Sequence, residues 1–265
     1  MRSFAIVACS LVLAVTVSTE ASAEAKPKRE AHHAAKEKAK RSAHARFQKP
    51  LGPRIRASYV IRGAVEGQSL GQPWQGKLHD PTQLEQGDGY VIRRPYRAFG
   101  TKTTVQFIHH AITDLREQFP EAHLFAVGDI SQESGGQITQ HRSHQSGRDV
   151  DIGLVYKAKP ASFPEDFIPA TADNLDCEAT YALVNEFAET AQEDGGAQVI
   201  FLDYNVQGLL YHWARDHGED ETILKHLFQY PSRGGSDALV RHIPNHNNHI
   251  HVRFKCPGSD TSCRD

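Results

Sequence analysis

The chain has 265 residues, which suits one domain of ordinary size with additional segments. Its formal net charge is -2 with histidine neutral, so the overall charge indicates no particular class of partner. Hydrophobic residues make up 39%, which still allows a core at this length, and the 16 histidines are the compositional outlier.

The first 23 residues have the features of a secretory signal peptide. An apolar run over residues 4–17 follows a basic start, and Ala21–Ala23 gives a small-residue cleavage signal. The run is too short for a membrane span, so we expect cleavage after Ala23 and no span afterwards. A lipoprotein site at Cys9 is the weaker alternative, because almost no apolar segment precedes this cysteine. Export places the mature chain in the periplasm or outside the cell.

Residues 24–57 are predicted to be a disordered basic tail and linker. The segment 24–46 is rich in lysine, arginine and alanine and has almost no large apolar side chain. It cannot bury enough surface to offset the entropy of ordering. Two interpretations remain open: electrostatic association with an anionic envelope polymer, or a solvated spacer. Export argues against a nucleic acid as the partner.

Residues 58–265 are predicted to form the globular domain. Its clearest helix is Thr103–Phe119, because apolar residues recur at helical spacing up to Pro120. Further helices are predicted at Thr180–Asp194, Val206–Ala214 and Glu221–Phe228. Strands are predicted at Ser58–Gly63, Tyr90–Arg94, Leu124–Ile130, Val150–Tyr156, Gln198–Tyr204 and Asn248–Phe254, and a loop at Gly67–Leu78. No regular strand-helix-strand rhythm is present, so we expect an α+β fold with an antiparallel sheet core flanked by helices.

Three cysteines remain after removal of the signal peptide. Cys256 and Cys263 are close in sequence, and the Pro257-Gly258 pair between them can turn the chain. We expect a disulfide between these two in an oxidising compartment, leaving Cys177 single. The odd count also permits another pairing or an intermolecular bond.

The stretch from His141 to Gly153 reads HRSHQSGRDVDIG and carries candidate metal ligands. A catalytic zinc site uses three protein ligands, usually imidazole or carboxylate, and keeps a position for water. His144 and Asp151 can supply two of them. Gly147 lets the loop turn sharply, so that the next strand brings Asp151 back beside His144.

A second stretch, HIPNHNNHIHVR at residues 242–253, carries further histidines. His249 and His251 lie two apart on a predicted strand, so their side chains leave the same face. One can bind a metal while the other stands close to the water as an acid or base. We therefore predict that the two stretches meet in space and hold one zinc ion.

The two stretches resemble the penicillin-insensitive murein endopeptidase family of bacteria, through HRSHQSGRDVDIGL and NHNNHIHVR. This family belongs to a zinc-peptidase group with lysostaphin-type enzymes, D-Ala-D-Ala peptidases and the hedgehog signalling domain. The group is marked by SxHxxGxxxD followed far downstream by HxH. Here the leading serine is shifted, because position 142 holds arginine and Ser143 adjoins His144. The resemblance covers residues 70–263 and excludes the basic tail.

The resemblance implies zinc on His144, Asp151 and His251, within a metallopeptidase domain at residues 58–265. It implies that His249 stands beside the water and that His141 and His246 line the site. The implied reaction is hydrolysis of peptide cross-links in peptidoglycan, of the D-alanyl to diaminopimelate type. The resemblance also supports the disulfide.

Alternatives remain for several residues. His249 is the first choice as general base, and His246 is the alternative or a ligand for the oxyanion. Each of His246 and His141 could instead be an ordinary polar residue near the site. Asp149 shares a strand face with Asp151, so it either orients a ligand histidine or competes as a ligand. Asp129 is predicted to be either a supporting carboxylate or a strand-end cap. Arg142 and Arg148 are predicted either to contact acidic groups of a muropeptide or to face solvent. Asp203 is predicted to be a strand-end residue.

Two other functions remain open. One is a D,D-carboxypeptidase or dipeptidase of the same zinc group. The other is a wall-binding module whose zinc site is structural or inactive. No GxSxG motif is present, and Cys177 has no persuasive local partner, so the sequence gives no sign of a serine or cysteine nucleophile.

Overall fold

The structure is a computed structural model, and it describes residues 65–234 and 237–265. The predicted signal peptide, basic tail, linker and Ser58–Gly63 strand lie outside these residues. The described strands are β1 (Ser69–Gln72), β2 (Gln75–Leu78), β3 (Thr82–Gln83), β4 (Tyr90–Ile92), β5 (Phe99–Gly100), β6 (Phe125–Val127), β7 (Asp149–Gly153), β8 (Ala197–Phe201), β9 (Val240–Arg241) and β10 (His249–Phe254). The described helices are α1 (Lys102–Gln118), α2 (Cys177–Glu189), α3 (Tyr204–Asp216) and α4 (Glu221–Leu227).

A six-stranded sheet forms the centre, in the order β4-β6-β7-β10-β8-β9. The three inner pairs, β6-β7, β7-β10 and β10-β8, are antiparallel. The outer pairs, β4-β6 and β8-β9, are parallel. The prediction of an α+β fold is confirmed, but the expected antiparallel sheet is wrong at both edges. The reason is that α1 connects β4 to β6, and α3 and α4 connect β8 to β9, which makes each connection a crossover.

Helix α1 follows directly from the sequence pattern. Thr101 caps it, because its hydroxyl oxygen accepts a hydrogen bond from the backbone N–H of Thr104 at 3.1 Å. Its apolar stripe is buried, and Phe107 stacks on Phe254 of β10 with ring centroids 5.7 Å apart. Pro120 follows the end of the helix. The helix therefore covers one face of the central sheet.

The predicted loop at Gly67–Leu78 is instead a hairpin formed by β1 and β2. Its glycines suggested a loop, but at Gly71 φ is +75° and a Cβ would lie 2.7 Å from the carbonyl oxygen of Gln75. Glycine is thus required for close strand approach rather than for disorder. The hairpin also holds the loop before β7, since the backbone N–H of Gln145 donates to the carbonyl of Pro73 at 3.0 Å.

Asp203 is the N-cap of α3 and not simply a strand-end residue. Its side chain accepts a hydrogen bond from the backbone N–H of Asn205 at 2.8 Å, which starts the helix at Tyr204, earlier than predicted. The predicted disulfide is confirmed, with the Cα atoms of Cys256 and Cys263 5.6 Å apart. Cys177 is a free, half-buried thiol.

The two faces of β7 and β10 differ sharply. Val150, Ile152, Ile250 and Val252 are fully buried in the hydrophobic core beneath the sheet. The alternate residues of both strands are aspartate, histidine and arginine, and they point to the opposite face. None of the helices in the described part of the chain is long and apolar enough to cross a membrane.

Candidate metal centre

The strand register brings the two predicted stretches together. Asp151 on β7 pairs with His251 on β10, and Gly153 pairs with His249. Side chains two residues apart on a strand share a face, so this register sets both histidines beside Asp151. The predicted meeting of the two stretches is therefore confirmed.

The loop before β7 returns His144 to the same place. Gly147 has φ +71°, and a Cβ there would lie 2.7 Å from Leu78, so the sharp turn predicted at this glycine is confirmed. His144 itself has φ +64°, a backbone conformation that costs energy for a residue with a Cβ. Its backbone N–H donates to Asp149 Oδ2 at 2.9 Å, which stabilises that conformation.

Asp151 lies at the centre of four imidazole rings. Its Oδ1 atom is 3.3 Å from His144 Nε2, 3.4 Å from His251 Nδ1 and 3.6 Å from His249 Nε2. Its Oδ2 atom is 3.7 Å from His141 Nδ1. One carboxylate thus faces one nitrogen of each ring, and the sequence had predicted every one of these side chains at the site.

The second nitrogen of each buried ring has its own acceptor. His144 Nδ1 lies 3.0 Å from the carbonyl oxygen of Ile130, and His251 Nε2 lies 2.9 Å from Asp149 Oδ1. Such bonds fix the orientation of a ring and leave its other nitrogen free to coordinate a metal. The free nitrogens of both rings face Asp151.

The two less buried rings are oriented in the same way. His141 Nε2 lies 2.9 Å from Asp129 Oδ2, and His249 Nδ1 lies 2.6 Å from Asn248 Oδ1. The contact to Asn248 puts the proton of His249 on Nδ1, so Nε2 is available as an acceptor. Four histidines are therefore held by four different acceptors.

Asp149 is fully buried, and both of its carboxylate oxygens accept hydrogen bonds. Its Oδ1 accepts from His251 Nε2 and, at 2.8 Å, from Arg253 Nε, while Oδ2 accepts from the backbone of His144. Burial alone would raise the pKa of Asp149, but the contacts with His251, Arg253 and His144 lower it below its ordinary value. Both oxygens are engaged, which favours an orienting role over competition with Asp151.

Asp129 is also fully buried, at the other side of the rings. Besides His141, it contacts Arg97 through Oδ2 at 2.8 Å and Arg94 through Oδ1 at 2.7 Å. It supports a histidine, as one of its two predicted interpretations required. The two arginines were missed in the sequence, because they lie more than 30 residues from Asp129 and no short pattern links them.

The histidines differ in their affinity for protons. Burial opposes protonation of His144, but the charges of Asp151 and Asp149 raise its pKa to about 9. Burial lowers the pKa of His249 to about 4, and burial with the neighbouring His144 also lowers the pKa of His251. Mutual repulsion between close rings allows only one of the three to hold a proton easily. His249 and His251 are therefore neutral near pH 7, whereas a cation bound by His144 would have to displace its proton.

The donor set fits a divalent cation. His144 Nε2 and Asp151 Oδ1 are buried and lie 3.3 Å apart, yet neither has a hydrogen-bond partner among the described residues. The ligand atoms of His141, His144 and Asp151 lie within 4.8 Å of one another. Imidazole nitrogen with carboxylate oxygen is a donor set typical of zinc. A cation between these atoms would satisfy both buried groups.

Aromatic side chains border the histidines on two sides. The ring of Phe201 lies 5.3 Å from His251, and Phe167 stacks on His249 at 5.5 Å. His246, another predicted site residue, is half-buried with its ring 4.8 Å from that of His249. The guanidinium of Arg93 lies 3.9 Å above the Phe167 ring. Both walls come from residues outside the two motifs.

The prediction for Arg148 is wrong. It is 1% exposed and neither faces solvent nor can reach a substrate. Its guanidinium donates to Ser69 Oγ, Phe254 O and Asp265 Oδ1 at 2.8–3.0 Å, beneath the loop that carries His144. Arg142 is exposed, as one interpretation predicted.

The fold and the polar face together define an α+β protein with a candidate histidine–aspartate metal centre.

Comparison with known proteins finds similarity to one family. A family model described as penicillin-insensitive murein endopeptidase matches residues 69–193, which include His141, His144 and Asp151. Relatives of that name share 29% identity over 195 residues in Yersinia enterocolitica, 26% over 228 in Yersinia pestis and 28% over 194 in Pectobacterium atrosepticum. These alignments cover 70%, 83% and 70% of this chain, and 64%, 74% and 63% of the relatives.

These matches support the resemblance to the penicillin-insensitive murein endopeptidase family that the two motifs predicted. The chain spans slightly less than two thirds of the Yersinia enterocolitica and Pectobacterium atrosepticum relatives.

Proposed function

We propose that this protein is a zinc-dependent endopeptidase that hydrolyses peptide cross-links in peptidoglycan, of the D-alanyl to diaminopimelate type. One observation carries the proposal: a buried carboxylate, Asp151, faces a free nitrogen of four separately oriented histidines. A purely structural site would need no more than its ligands. The surplus of oriented imidazoles beside them supports proton transfer as well as metal binding.

We propose that one zinc ion is held by His144, Asp151 and His251. When bound, zinc would polarise the scissile carbonyl and promote ionisation of a water molecule. The chemistry of the donors supports this set, because Asp149 and Ile130 occupy the other nitrogens of the two rings. A second set, in which His141 replaces His251, is also compatible with the grouping of donor atoms.

His249 is proposed as the general base. It accepts a proton at Nε2 from the attacking water, because its Nδ1–H donates to Asn248 and its lowered pKa keeps the ring neutral. The same nitrogen then returns the proton to the leaving amine. His246 is proposed to bind the oxyanion of the tetrahedral intermediate, and it remains the alternative base.

The surrounding residues hold this arrangement. Asp149 keeps His251 Nδ1 directed at Asp151, and Asp129 does the same for His141 Nδ1. Phe201 and Phe167 border the reacting groups with apolar surface, which lowers the local polarity and strengthens charge interactions there. His141 is proposed to line the substrate side of the site.

The substrate and compartment follow from the family and the predicted export signal. The relatives are named murein endopeptidases, which supports peptidoglycan as the substrate. The predicted signal peptide supports a periplasmic location, or secretion beyond it. The basic residues 24–46 would then meet anionic envelope polymers.

The test uses the mature protein and purified cross-linked muropeptide dimers. Conversion of dimers to monomers is expected with one zinc per chain. The activity should disappear with a chelator, return with added zinc, and be absent from His144→Ala. Folding of that variant is checked by its circular dichroism spectrum.

Other products would identify other functions. Release of only a terminal D-alanine would replace the endopeptidase with a D,D-carboxypeptidase or dipeptidase. A zinc-loaded protein that binds dimers without any product would instead be a wall-binding module.

A further inference from the structure

A cavity of about 300 Å³ lies beside the metal centre on the same face of the sheet. Its walls include Trp74 from the β1–β2 turn, Phe201 from β8, Arg241 from β9, Arg253 from β10, and Asp265. We call it the arginine pocket. It is not required by the proposed metal site, so its residue types call for a separate explanation.

The register of the sheet places the pocket directly next to the reacting groups. Asp151, His251, Phe201 and Arg241 pair with one another in turn across four adjacent strands. Neighbouring strands lie roughly 5 Å apart, so this row continues from the metal centre to Arg241. Arg253 follows His251 by two residues and shares its face. An extended peptide lying across the rings would therefore reach Arg241 within about three residues of His251.

Of the two arginines in the pocket, Arg253 forms an ion pair with a carboxylate, whereas Arg241 forms none among the described residues. Arg253 donates through Nε to Asp149, and Arg241 donates through Nε to the carbonyl of Ala238 at 3.0 Å. Among the described residues, no acidic side chain forms an ion pair with Arg241. The carboxylate of Asp265 is taken by Arg148 and by the backbone N–H of Cys256.

The arginines on the other side of the rings differ in this respect. Arg94 and Arg97 both contact Asp129, and Arg97 also bonds Thr139 Oγ1 at 2.6 Å. Their charge is neutralised within the protein. Arg241 differs from Arg94, Arg97 and Arg253 because no carboxylate of the described residues neutralises its guanidinium.

Trp74 supplies the apolar wall. It is 47% exposed, although large aromatic side chains are normally buried, and its ring lies 5.4 Å from the Arg253 guanidinium. The Phe201 ring lies 5.4 Å from the same group. Two aromatic faces thus restrict Arg253 to one position, which prepares it for a planar ligand such as a carboxylate.

We propose that the arginine pocket is a substrate subsite that binds a free carboxylate of the cross-linked peptide, with Arg241 as its main specificity residue. Arg253 contributes to the same subsite while it positions Asp149. This inference rests on the proposed function, because it assumes a peptide substrate across the metal centre. It adds a requirement that the metal centre alone does not impose: the peptide must carry a negative charge at a fixed distance from the scissile bond.

The test compares native dimers with dimers whose free carboxyl groups have been converted to carboxamides. Wild-type kcat/KM is expected to fall by about tenfold or more on the amidated dimers, the effect of losing one charge-assisted bond. Arg241→Gln should lose a similar factor on native dimers and lose nothing further on amidated ones. Arg215→Gln is the matched control, because Arg215 is exposed on α3 and pairs only with its neighbour Asp216.

A binding measurement separates this inference from the proposed function. The zinc-loaded protein is titrated with muropeptide monomers, native and amidated, while tryptophan emission is recorded. The native monomer should bind more tightly by about tenfold, and the emission change should vanish in Trp74→Phe, which retains Trp213. Arg241→Gln should bind both monomers equally.

Each outcome has a distinct meaning. If dimers are hydrolysed but Arg241→Gln keeps the wild-type preference for native over amidated substrate, the subsite is wrong and the endopeptidase stands. If no dimer is hydrolysed but native monomers bind more tightly in an Arg241-dependent way, the subsite stands and the proposed reaction falls. Equal binding of native and amidated monomers, without hydrolysis, overturns both.

Discussion

Asp149 and Asp129 are both fully buried and each orients a histidine of the metal centre, but their other partners differ. Asp149 lies under the centre and bonds His251, Arg253 and the backbone of His144. Asp129 lies at the edge and bonds His141, with two partly exposed arginines behind it. The first carboxylate therefore supports two proposed zinc ligands, and the second supports a residue proposed to line the site. We therefore expect substitution of Asp149 to affect metal binding and substitution of Asp129 to affect turnover.

The largest effect is expected at Asp151, the carboxylate that faces all four histidine rings. Asp151→Asn should reduce kcat/KM on dimers by about a thousandfold or more, because it removes several kcal/mol of metal-dependent stabilisation. Zinc content after dialysis should fall in parallel. Asp88→Asn, at an exposed aspartate between β3 and β4, serves as control and should keep full activity. Normal zinc content in Asp151→Asn would exclude Asp151 as a ligand.

Asp149→Asn tests the carboxylate that orients His251. We expect zinc affinity to fall by about 10- to 100-fold, since an orienting partner of a ligand histidine contributes to that extent. Competition with a chromophoric chelator measures the dissociation constant. Unchanged zinc affinity would mean that His251 does not need this orientation and would weaken its assignment as a ligand.

Asp129→Asn tests the carboxylate that orients His141 and sharpens the comparison. Zinc affinity should stay close to wild type, while kcat on dimers falls by about tenfold because His141 loses its orientation. The two readouts together decide between the ligand sets. If Asp129→Asn weakens zinc binding as much as Asp149→Asn does, His141 is the third ligand in place of His251.

The turn that brings His144 to Asp149 can be tested without touching a polar group. Gly147→Ala should destabilise the protein by roughly 2–4 kcal/mol, because it adds a clash with Leu78 to the cost of a positive φ. Gly218→Ala is the matched control, with φ +90° and open space around the new methyl group. It should cost about 1 kcal/mol in urea unfolding. Equal costs would show that the turn tolerates a side chain.

The smallest expected effect is on acid stability. Burial alone would raise the pKa of Asp129, but hydrogen bonds from His141 and Arg97 and the charge of Arg94 lower it in the folded protein. The contribution of ionised Asp129 is therefore complete above its unfolded pKa, near pH 4, and is lost as the pH falls through the lowered value. Wild type should exceed Asp129→Asn by about 1–3 kcal/mol at pH 7, and this difference should shrink below about pH 4. Urea unfolding of chelator-treated protein measures it, and a constant difference would contradict the assignment.

The sequence predicted the residues of the metal centre better than the residues that surround it. His144, Asp151, His249 and His251 were found because strand alternation and one glycine turn determine their placement over short distances. Helix α1 was found because its apolar stripe is complete and ends at a proline. In both cases the signal lies within about fifteen residues.

What the sequence did not reveal depends on distant contacts. The glycines of the β1–β2 hairpin predict a loop, since nothing local shows that they allow two backbones to approach closely. Arg148 was expected to meet substrate or solvent, but its partners include backbone and side-chain atoms more than 100 residues away. The parallel edges of the sheet likewise depend on where α1, α3 and α4 cross. The spacing of residues within a short segment does not predict contacts of this kind.

The position of β10 has a consequence for the assembly of the proposed site. Among the described strands it is the last in sequence but lies between β7 and β8, so it joins two parts of the sheet that otherwise share no strand pairing. His249 and His251 lie on this strand and reach Asp151 only when it has paired with β7. The proposed site is therefore completed in the same step that joins the two parts of the sheet.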